Sequence, residues 1–210
     1  MDALPPLAGI LTSGIDHPGY MTLNIYLPYC NYRCRDCHNW EIAQGAFHEL
    51  PAEMLLWELD NNFIVNMAVI TGGEPTLHRQ RLVNMVKLIR QKRPDLLIRI
   101  DSNGSMPEVL MSLSDIVNGF AIDIKGPPFE REKYEYTIRV RLSVEKLIES
   151  VKIASKLPET IYRTVKYPWL SDKDIEKIKE FVKIYGEGRP YFVNPFVAPQ
   201  RTVSASDANA

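Results

Sequence analysis

The sequence predicts an α/β fold in which a parallel sheet carries helices on its outside. Three observations lead there. Short runs rich in Ile, Val, Phe and Tyr alternate with longer amphipathic segments, there are six of the first and five of the second, and the chemistry-bearing motifs fall where the apolar runs stop. The first run, "MTLNIYLP" (21–28), reads as a strand with three cysteines just beyond it. A helix over "PAEMLLWELDNN" (51–62) leads to the strand "FIVNMAVIT" (63–71), and a helix over "RQRLVNMVKLIRQKRP" (79–94) leads to the strand "LLIRID" (96–101). The next pair is the helix "SMPEVLMSLSD" (105–115) and the strand "GFAIDIK" (119–125). "SVEKLIESVKIASKL" (143–157) forms a helix that Ser143 can cap, ahead of the strand "TIYRTVKYP" (160–168). The last helix, "SDKDIEKIKEFVKIYG" (171–186), has Ser171 followed three residues on by Asp174, the spacing of a capping box, with Asp172 favourable in the first turn and Gly186 as a stop. The sixth strand is "RPYFVNPF" (189–196). Strand–helix–strand units of this kind cross over right-handedly and build a parallel sheet.

Composition narrows the function classes. A chain of 210 residues suits one core, so residues 1–199 are expected to form a single domain, with the small, polar segment "QRTVSASDANA" (200–210) as a mobile tail. With 25 Lys and Arg against 26 Asp and Glu, there is no charge excess of the kind that attracts nucleic acid or acidic membranes. No basic start precedes a long apolar run, and no stretch of about 18 apolar residues occurs, so a cytoplasmic protein is expected, with neither nucleic acid nor membrane as a partner.

All three cysteines, Cys30, Cys34 and Cys37, lie within "YLPYCNYRCRDCHNW" (26–40). Disulfide frameworks spread paired cysteines across a fold, so these thiols read as ligands for a soft metal centre. A structural zinc ion closes with four ligands, and His38 is awkwardly adjacent to Cys37 for joining the same ion. An iron–sulfur cubane with three thiolates leaves one iron open to another molecule. Three metal-free cysteines are the remaining reading. "TGGEP" (71–75), "DSNG" (101–104) and "DIKG" (123–126) close the next three strands, so the polar residues converge on the carboxyl edge of the sheet, where parallel α/β folds collect ligands.

C-x3-C-x2-C after the first strand and Gly-Gly-Glu after the second resemble the radical S-adenosylmethionine (SAM) superfamily, over roughly Gly14 to Pro195. "IDHPGY", "CHNW", "TGGEPTL", "DSNG", "DIKGP" and "YRTVKYP" most resemble the activating enzymes of glycyl radical enzymes, in particular the anaerobic ribonucleoside-triphosphate reductase activating group. The resemblance implies a partial (β/α)6 TIM-type barrel with parallel strands, a [4Fe-4S] cluster on Cys30, Cys34 and Cys37, and SAM chelated by the open iron. It implies that Gly72 and Gly73 let the chain approach SAM, and that Glu74 or its backbone receives the methionine ammonium. Asp101, Ser102, Asn103 and Asp123 would surround the methionine end; in some activating enzymes equivalents of Asp101, Ser102 and Asp123 bind a monovalent cation. Lys125 and Arg163 would neutralise the carboxylate or position the ribose. The implied reaction is reductive cleavage of SAM to a 5′-deoxyadenosyl radical that abstracts hydrogen from a glycine of a partner glycyl radical enzyme, under anaerobic conditions, with reduced ferredoxin or flavodoxin as electron donor.

The sequence also departs from the family pattern. Asp36 stands where an aromatic residue commonly packs on adenine, which leaves Tyr32, His38 or Trp40 for that contact. The last strand lacks the histidine some activating enzymes carry there, and no cysteine follows Cys37, which excludes an auxiliary cluster. For His17, His48 and His78 a solvated or hydrogen-bonded structural role is expected. Two alternatives stand beside the activating enzyme: a radical SAM enzyme acting on a small molecule, like a deazaguanine-forming synthase, and a non-catalytic iron–sulfur or zinc-binding interaction protein.

Overall fold

A computed structural model describes residues 4–15, 17 and 19–199. Asp16 and Pro18 of the "IDHPGY" motif, and the tail 200–210, lie outside the described residues. Fourteen elements follow one another: β1 Gly9–Ser13, β2 Thr22–Leu27, α1 Trp40–Gln44, α2 Ala52–Asn61, β3 Met67–Gly72, α3 Gln80–Lys92, β4 Leu97–Ser102, α4 Pro107–Leu113, β5 Gly119–Asp123, α5 Arg131–Ile138, α6 Val144–Ser155, β6 Ile161–Lys166, α7 Asp172–Tyr185 and β7 Tyr191–Pro195, with a 3-10 turn at Pro75–His78. All six expected strands and all five expected helices are present.

The seven strands form one sheet in the order β1 to β7. β2 to β7 pair in parallel, as the partial barrel requires, whereas β1 runs antiparallel to β2 with Gly9 opposite Tyr26 and Ser13 opposite Thr22. β1 was not anticipated, because a five-residue, half-exposed strand at a sheet edge has no apolar run to announce it. The strand expected from Phe63 begins later, at Met67; Phe63 and Ile64 are exposed ahead of it.

Alternation along each strand separates two environments. Leu23, Ile25, Leu27, Ile70, Ile98, Ile100, Phe120, Ile122 and Tyr162 face the helices and are buried with them in one apolar cluster. α3 meets this cluster with Leu82, Val83, Met85, Val86 and Ile89, the spacing of one helix face. The opposite strand faces look into the barrel and are polar, with Asn24 and Tyr26 on β2, Asp101 on β4 and Arg163 on β6. The segment between β1 and β2 ties down the amino end of the barrel: the buried His17 ring accepts from Arg99 (Nη2 to Nε2, 2.8 Å), and Tyr20 Oη donates to Glu159 Oε2 at 2.8 Å. Among the described residues, no helix is long and apolar enough to cross a membrane.

The helix ends follow the sequence closely. Ser143 Oγ accepts from Lys146 N. Ser171 and Asp174 form a reciprocal capping box, with Asp174 Oδ2 accepting from Ser171 N at 2.9 Å, and Gly186 ends α7. Burial acts to raise the Asp174 carboxyl, but hydrogen bonds from Lys133 and Ser171 outweigh it and hold the group at about 2.

Two outcomes test the cap. Ser171→Ala should lower the unfolding free energy by about 1 kcal/mol in a urea titration. Because the folded value of Asp174 is depressed, its contribution is complete above the unfolded value of 3.8 and is lost as pH falls through about 2. Asp174→Asn should flatten that part of the acid-unfolding curve followed by circular dichroism.

Candidate functional site

The cysteines and the residues expected around SAM meet at one pocket of about 420 Å³ at the carboxyl edge of the sheet: Cys30, Cys34, Cys37, His38, Gly72, Gly73, Glu74, Asp101, Ser102, Asn103, Asp123, Lys125 and Arg163 all line it. Tyr32 joins them, while Trp40 does not. Sequence reasoning missed Asn24, Tyr26, Tyr167, Asn194 and the lining role of His17. For Asn24 and Tyr26 the signal was present, since alternation in "TLNIYL" places them opposite Leu23, Ile25 and Leu27.

The cysteine loop is held by helix ends. The carbonyls of Ile42 and Ala43 in α1 accept from Tyr29 N at 2.9 Å and Cys30 N at 3.1 Å. On the other side the last carbonyls of α5, which have no partner within their own helix, accept from the loop. Thr137 O takes Arg35 N at 3.0 Å, Ile138 O takes Arg33 N at 2.9 Å, and Tyr136 O takes Arg35 Nε at 2.8 Å. The Arg35 guanidinium also lies 3.7 Å above the Tyr136 ring. α5 was not anticipated from the sequence, yet it is half of the clamp on these cysteines.

The Gly-Gly pair is required by the neighbouring backbone. Gly73 N donates to Leu27 O at 2.8 Å and Glu74 N to Tyr29 O at 2.7 Å, so the end of β3 lies directly against the start of the cysteine loop. A Cβ on Gly73 would sit 2.0 Å from Tyr29 O; one on Gly72, whose φ is 118°, would sit 2.4 Å from Leu27 O. The close approach read from the sequence is thus an approach of two protein loops.

Glu74 is fully buried and its carboxylate is occupied. Oε1 accepts from Thr76 N (3.1 Å), Thr76 Oγ1 (2.6 Å) and Ser102 Oγ (2.9 Å), and Oε2 accepts from Asn103 N (2.7 Å). Burial pushes its carboxyl up while these donors pull it back. The backbone of Glu74 is engaged as well, its N–H by Tyr29 O and its carbonyl by Leu77 N at 3.2 Å. Asn103 Nδ2 continues the network to Asn31 Oδ1 at 2.9 Å, and Asn31 to Ser105 Oγ at 2.8 Å, tying the cysteine loop to the end of β4.

Inside the barrel a chain of alternating charges spans β4 to β6. Register places Asp123 beside Arg163. Arg163 donates to Asp123 Oδ1 through Nε at 3.0 Å and to Asp101 Oδ2 through Nη1 at 3.1 Å; Lys125 Nζ is 3.3 Å from Asp123 Oδ2, and Arg99 Nε is 3.5 Å from Asp101 Oδ1. Burial alone would lower Lys125, but Asp123 more than offsets it and holds the ammonium well above the usual lysine range. Burial likewise opposes the charge on Asp123, and Arg163 and Lys125 reverse the effect and hold the carboxyl down. Three of the four carboxylate oxygens accept from a guanidinium or an ammonium, and the fourth, Asp101 Oδ1, is buried with Arg99 Nε at 3.5 Å and no hydrogen bond. A monovalent cation does not fit there: Arg163 already stands between the two acids, and Arg99 and Lys125 would repel an added positive ion.

The donor set at the rim does fit an iron–sulfur centre. The three thiols are unpaired and half-buried on one loop. Two N–H groups approach Cys30 Sγ, Tyr32 N at 3.3 Å and Asn103 Nδ2 at 4.0 Å, an arrangement that supports a ligating thiolate. Burial pushes the metal-free Cys30 thiol up to about 12 and raises Cys34 as well, so a metal centre displaces protons on binding. A single zinc ion needs donors that meet at one point; among the described residues no three His, Cys, Asp or Glu side chains do so. A cubane asks for less convergence, because each thiolate meets its own iron. His38 has a different partner, with Nε2 2.8 Å from Val197 O on the segment after β7. Tyr167 stacks on Trp169 at 4.9 Å and presents its other surroundings to the pocket. His17 and His78 have the hydrogen-bonded roles expected of them.

The sequence profile of the radical SAM superfamily matches residues 24–182. A Methanocaldococcus jannaschii protein provisionally named a glycyl-radical enzyme activating enzyme is 29% identical over 179 residues, 81% of this chain and 72% of that protein. A GTP 3′,8-cyclase of Nautilia profundicola is 29% identical over 168 residues, 75% of this chain but 50% of the cyclase. Among solved structures, a radical SAM methyltransferase from Sphaerobacter thermophilus superposes with a TM-score of 0.65 at 12% identity, covering 96% of this chain and 70% of the other, which is a likeness of fold.

Two substitutions probe the site without any cofactor. Gly73→Ala should cost about 2–4 kcal/mol in denaturant unfolding, since backbone must move to admit the methyl group. Arg163→Met should cost about 3 kcal/mol by leaving Asp101 and Asp123 uncompensated. It should also create a difference in melting temperature between KCl and choline chloride at equal ionic strength. The unaltered chain should show none, and a potassium-specific gain there would restore the cation.

Proposed function

The chain belongs to the radical SAM superfamily, and on that footing we propose that it activates a glycyl radical enzyme by removing a hydrogen atom from a glycine of that partner. The observation that carries the reading is the open sheet. The strand order runs from β1 to β7 without a pairing between the two edges among the described residues, and Phe192 to Pro195 of β7 are exposed beside the pocket. A partner's glycine loop can enter from that side, whereas a closed barrel would admit only what passes its mouth. The identity with the M. jannaschii protein supports the same reading.

When bound, a [4Fe-4S] cluster with one open iron supplies one-electron cleavage of SAM to methionine and a 5′-deoxyadenosyl radical. Cys30, Cys34 and Cys37 would hold three of its irons. The backbone of Gly72, Gly73 and Glu74 orients the methionine end, while the Glu74 carboxylate keeps that backbone in place. Lys125 gives one N–H to Asp123 and keeps two more that could meet the carboxylate of SAM. Arg163 fixes Asp123 and Asp101 at the pocket wall. Tyr32, His38 and Tyr167 offer flat surfaces to the adenine in place of the aromatic residue that Asp36 replaces. An open iron and a one-electron donor such as reduced ferredoxin or flavodoxin would suit an anaerobic, reducing compartment.

Cyclisation of a nucleoside triphosphate is the second reading, favoured by the identity with the N. profundicola cyclase. The two separate in one experiment. The chain is reconstituted anaerobically with iron and sulfide, reduced, and given SAM with either a candidate glycyl radical enzyme or GTP. The expected result is 5′-deoxyadenosine together with a glycine-centred doublet in the electron paramagnetic resonance spectrum, both lost in Cys34→Ala. Conversion of GTP without a protein radical overturns the proposal, and a reduced cluster that yields no 5′-deoxyadenosine with either addition points to a binding protein.

A further inference from the structure

Electrons must reach the cysteine loop from outside, and the surface around that loop is basic on a chain that as a whole is not. The chain has 25 Lys and Arg against 26 Asp and Glu. Even so, Arg33 and Arg35 flank Cys34, and Arg139 and Arg141 immediately follow α5, the helix whose last carbonyls hold that loop. Arg33, Arg139 and Arg141 are exposed, and none of the ion pairs among the described residues includes them. Of the acids on the same two segments, Asp36 lines the pocket, and Glu135 pairs with Arg131 and accepts from Leu142 N.

Arginines at a helix carboxyl end ordinarily satisfy its last carbonyls. Here the carbonyls of Tyr136, Thr137 and Ile138 already accept from Arg35 and Arg33, so the guanidinium groups of Arg139 and Arg141 are not needed there. We propose that Arg33, Arg139 and Arg141 form the docking face for an acidic one-electron carrier protein that seats over the cysteine loop. The inference rests on the reading of Cys30, Cys34 and Cys37 as cluster ligands. One electron leaves the reduced carrier and enters the cluster, and no bond is made or broken at the interface. A local basic patch on a nearly neutral protein steers an acidic partner to one orientation, the one that brings its redox centre nearest Cys34.

The test uses the full reconstituted chain and a reduced acidic ferredoxin as probe, with cluster reduction followed by stopped-flow absorbance. Arg139→Glu combined with Arg141→Glu should slow reduction about 10-fold at low salt. Raising the salt to about 0.5 M should bring the unaltered chain down toward the variant. The double lysine variant should keep the unaltered rate, and iron content and the end point with dithionite should be the same in all three. Equal rates in the glutamate variant, or a salt-independent rate in the unaltered chain, overturn the docking face while the dithionite signal shows the cluster intact. No dithionite-reducible cluster in the unaltered chain overturns the ligand reading and the inference together. Loss of RNA retention in the glutamate variant with an unchanged ferredoxin rate reassigns the patch to nucleic acid.

Discussion

The buried carboxylate of Glu74 is the interaction on which the site depends. It gathers Thr76, Ser102 and Asn103, and its own backbone N–H donates to Tyr29 O, so one residue joins the ends of β3 and β4 to the start of the cysteine loop. A buried carboxylate without donors would be costly, and donors without the carboxylate would be orphaned in turn. Each side therefore requires the other. The Gly-Gly pair before it is the steric half of the same joint, because only residues without a Cβ let the two backbones lie this close.

The barrel interior follows a different rule. Arg99, Asp101, Arg163, Asp123 and Lys125 alternate in sign, and each acid meets two cations. Such a chain tolerates partial burial because no charge lacks an opposite neighbour, and it fixes side chains that would otherwise rotate freely in a wide pocket. The chain itself carries one positive charge more than it has negative ones, but Asp36 and Glu74 also line the pocket, so the wall is fixed in place without being cationic.

The parallel strands were legible because their helix-facing residues form apolar runs, and α7 because both ends carry cap chemistry. α5 was not, because "REKYEYTI" is mostly polar and only Tyr134, Thr137 and Ile138 are buried; its place is set by what it holds. The site residues could be gathered to one edge of the sheet because topology alone puts strand ends there. Their individual roles were less legible. Glu74 reads as a ligand acid until its four donors are seen, and Asp101 and Asp123 as cation ligands until Arg163 is placed between them. Ser102 and Asn103 for Glu74, and Arg163 for the two aspartates, are partners distant in sequence, which composition and spacing do not encode.

The loop bearing the three thiols takes its backbone partners from α1 and α5, that is, from polypeptide alone. Small zinc modules are the opposite case, since their chains have no folded form until the ion arrives. Here helix carbonyls pin the loop on both sides, so the spread of the three sulfurs is limited by contacts within the polypeptide. A substitution that shifts either helix therefore reaches the thiols through hydrogen bonds alone, without touching a cysteine.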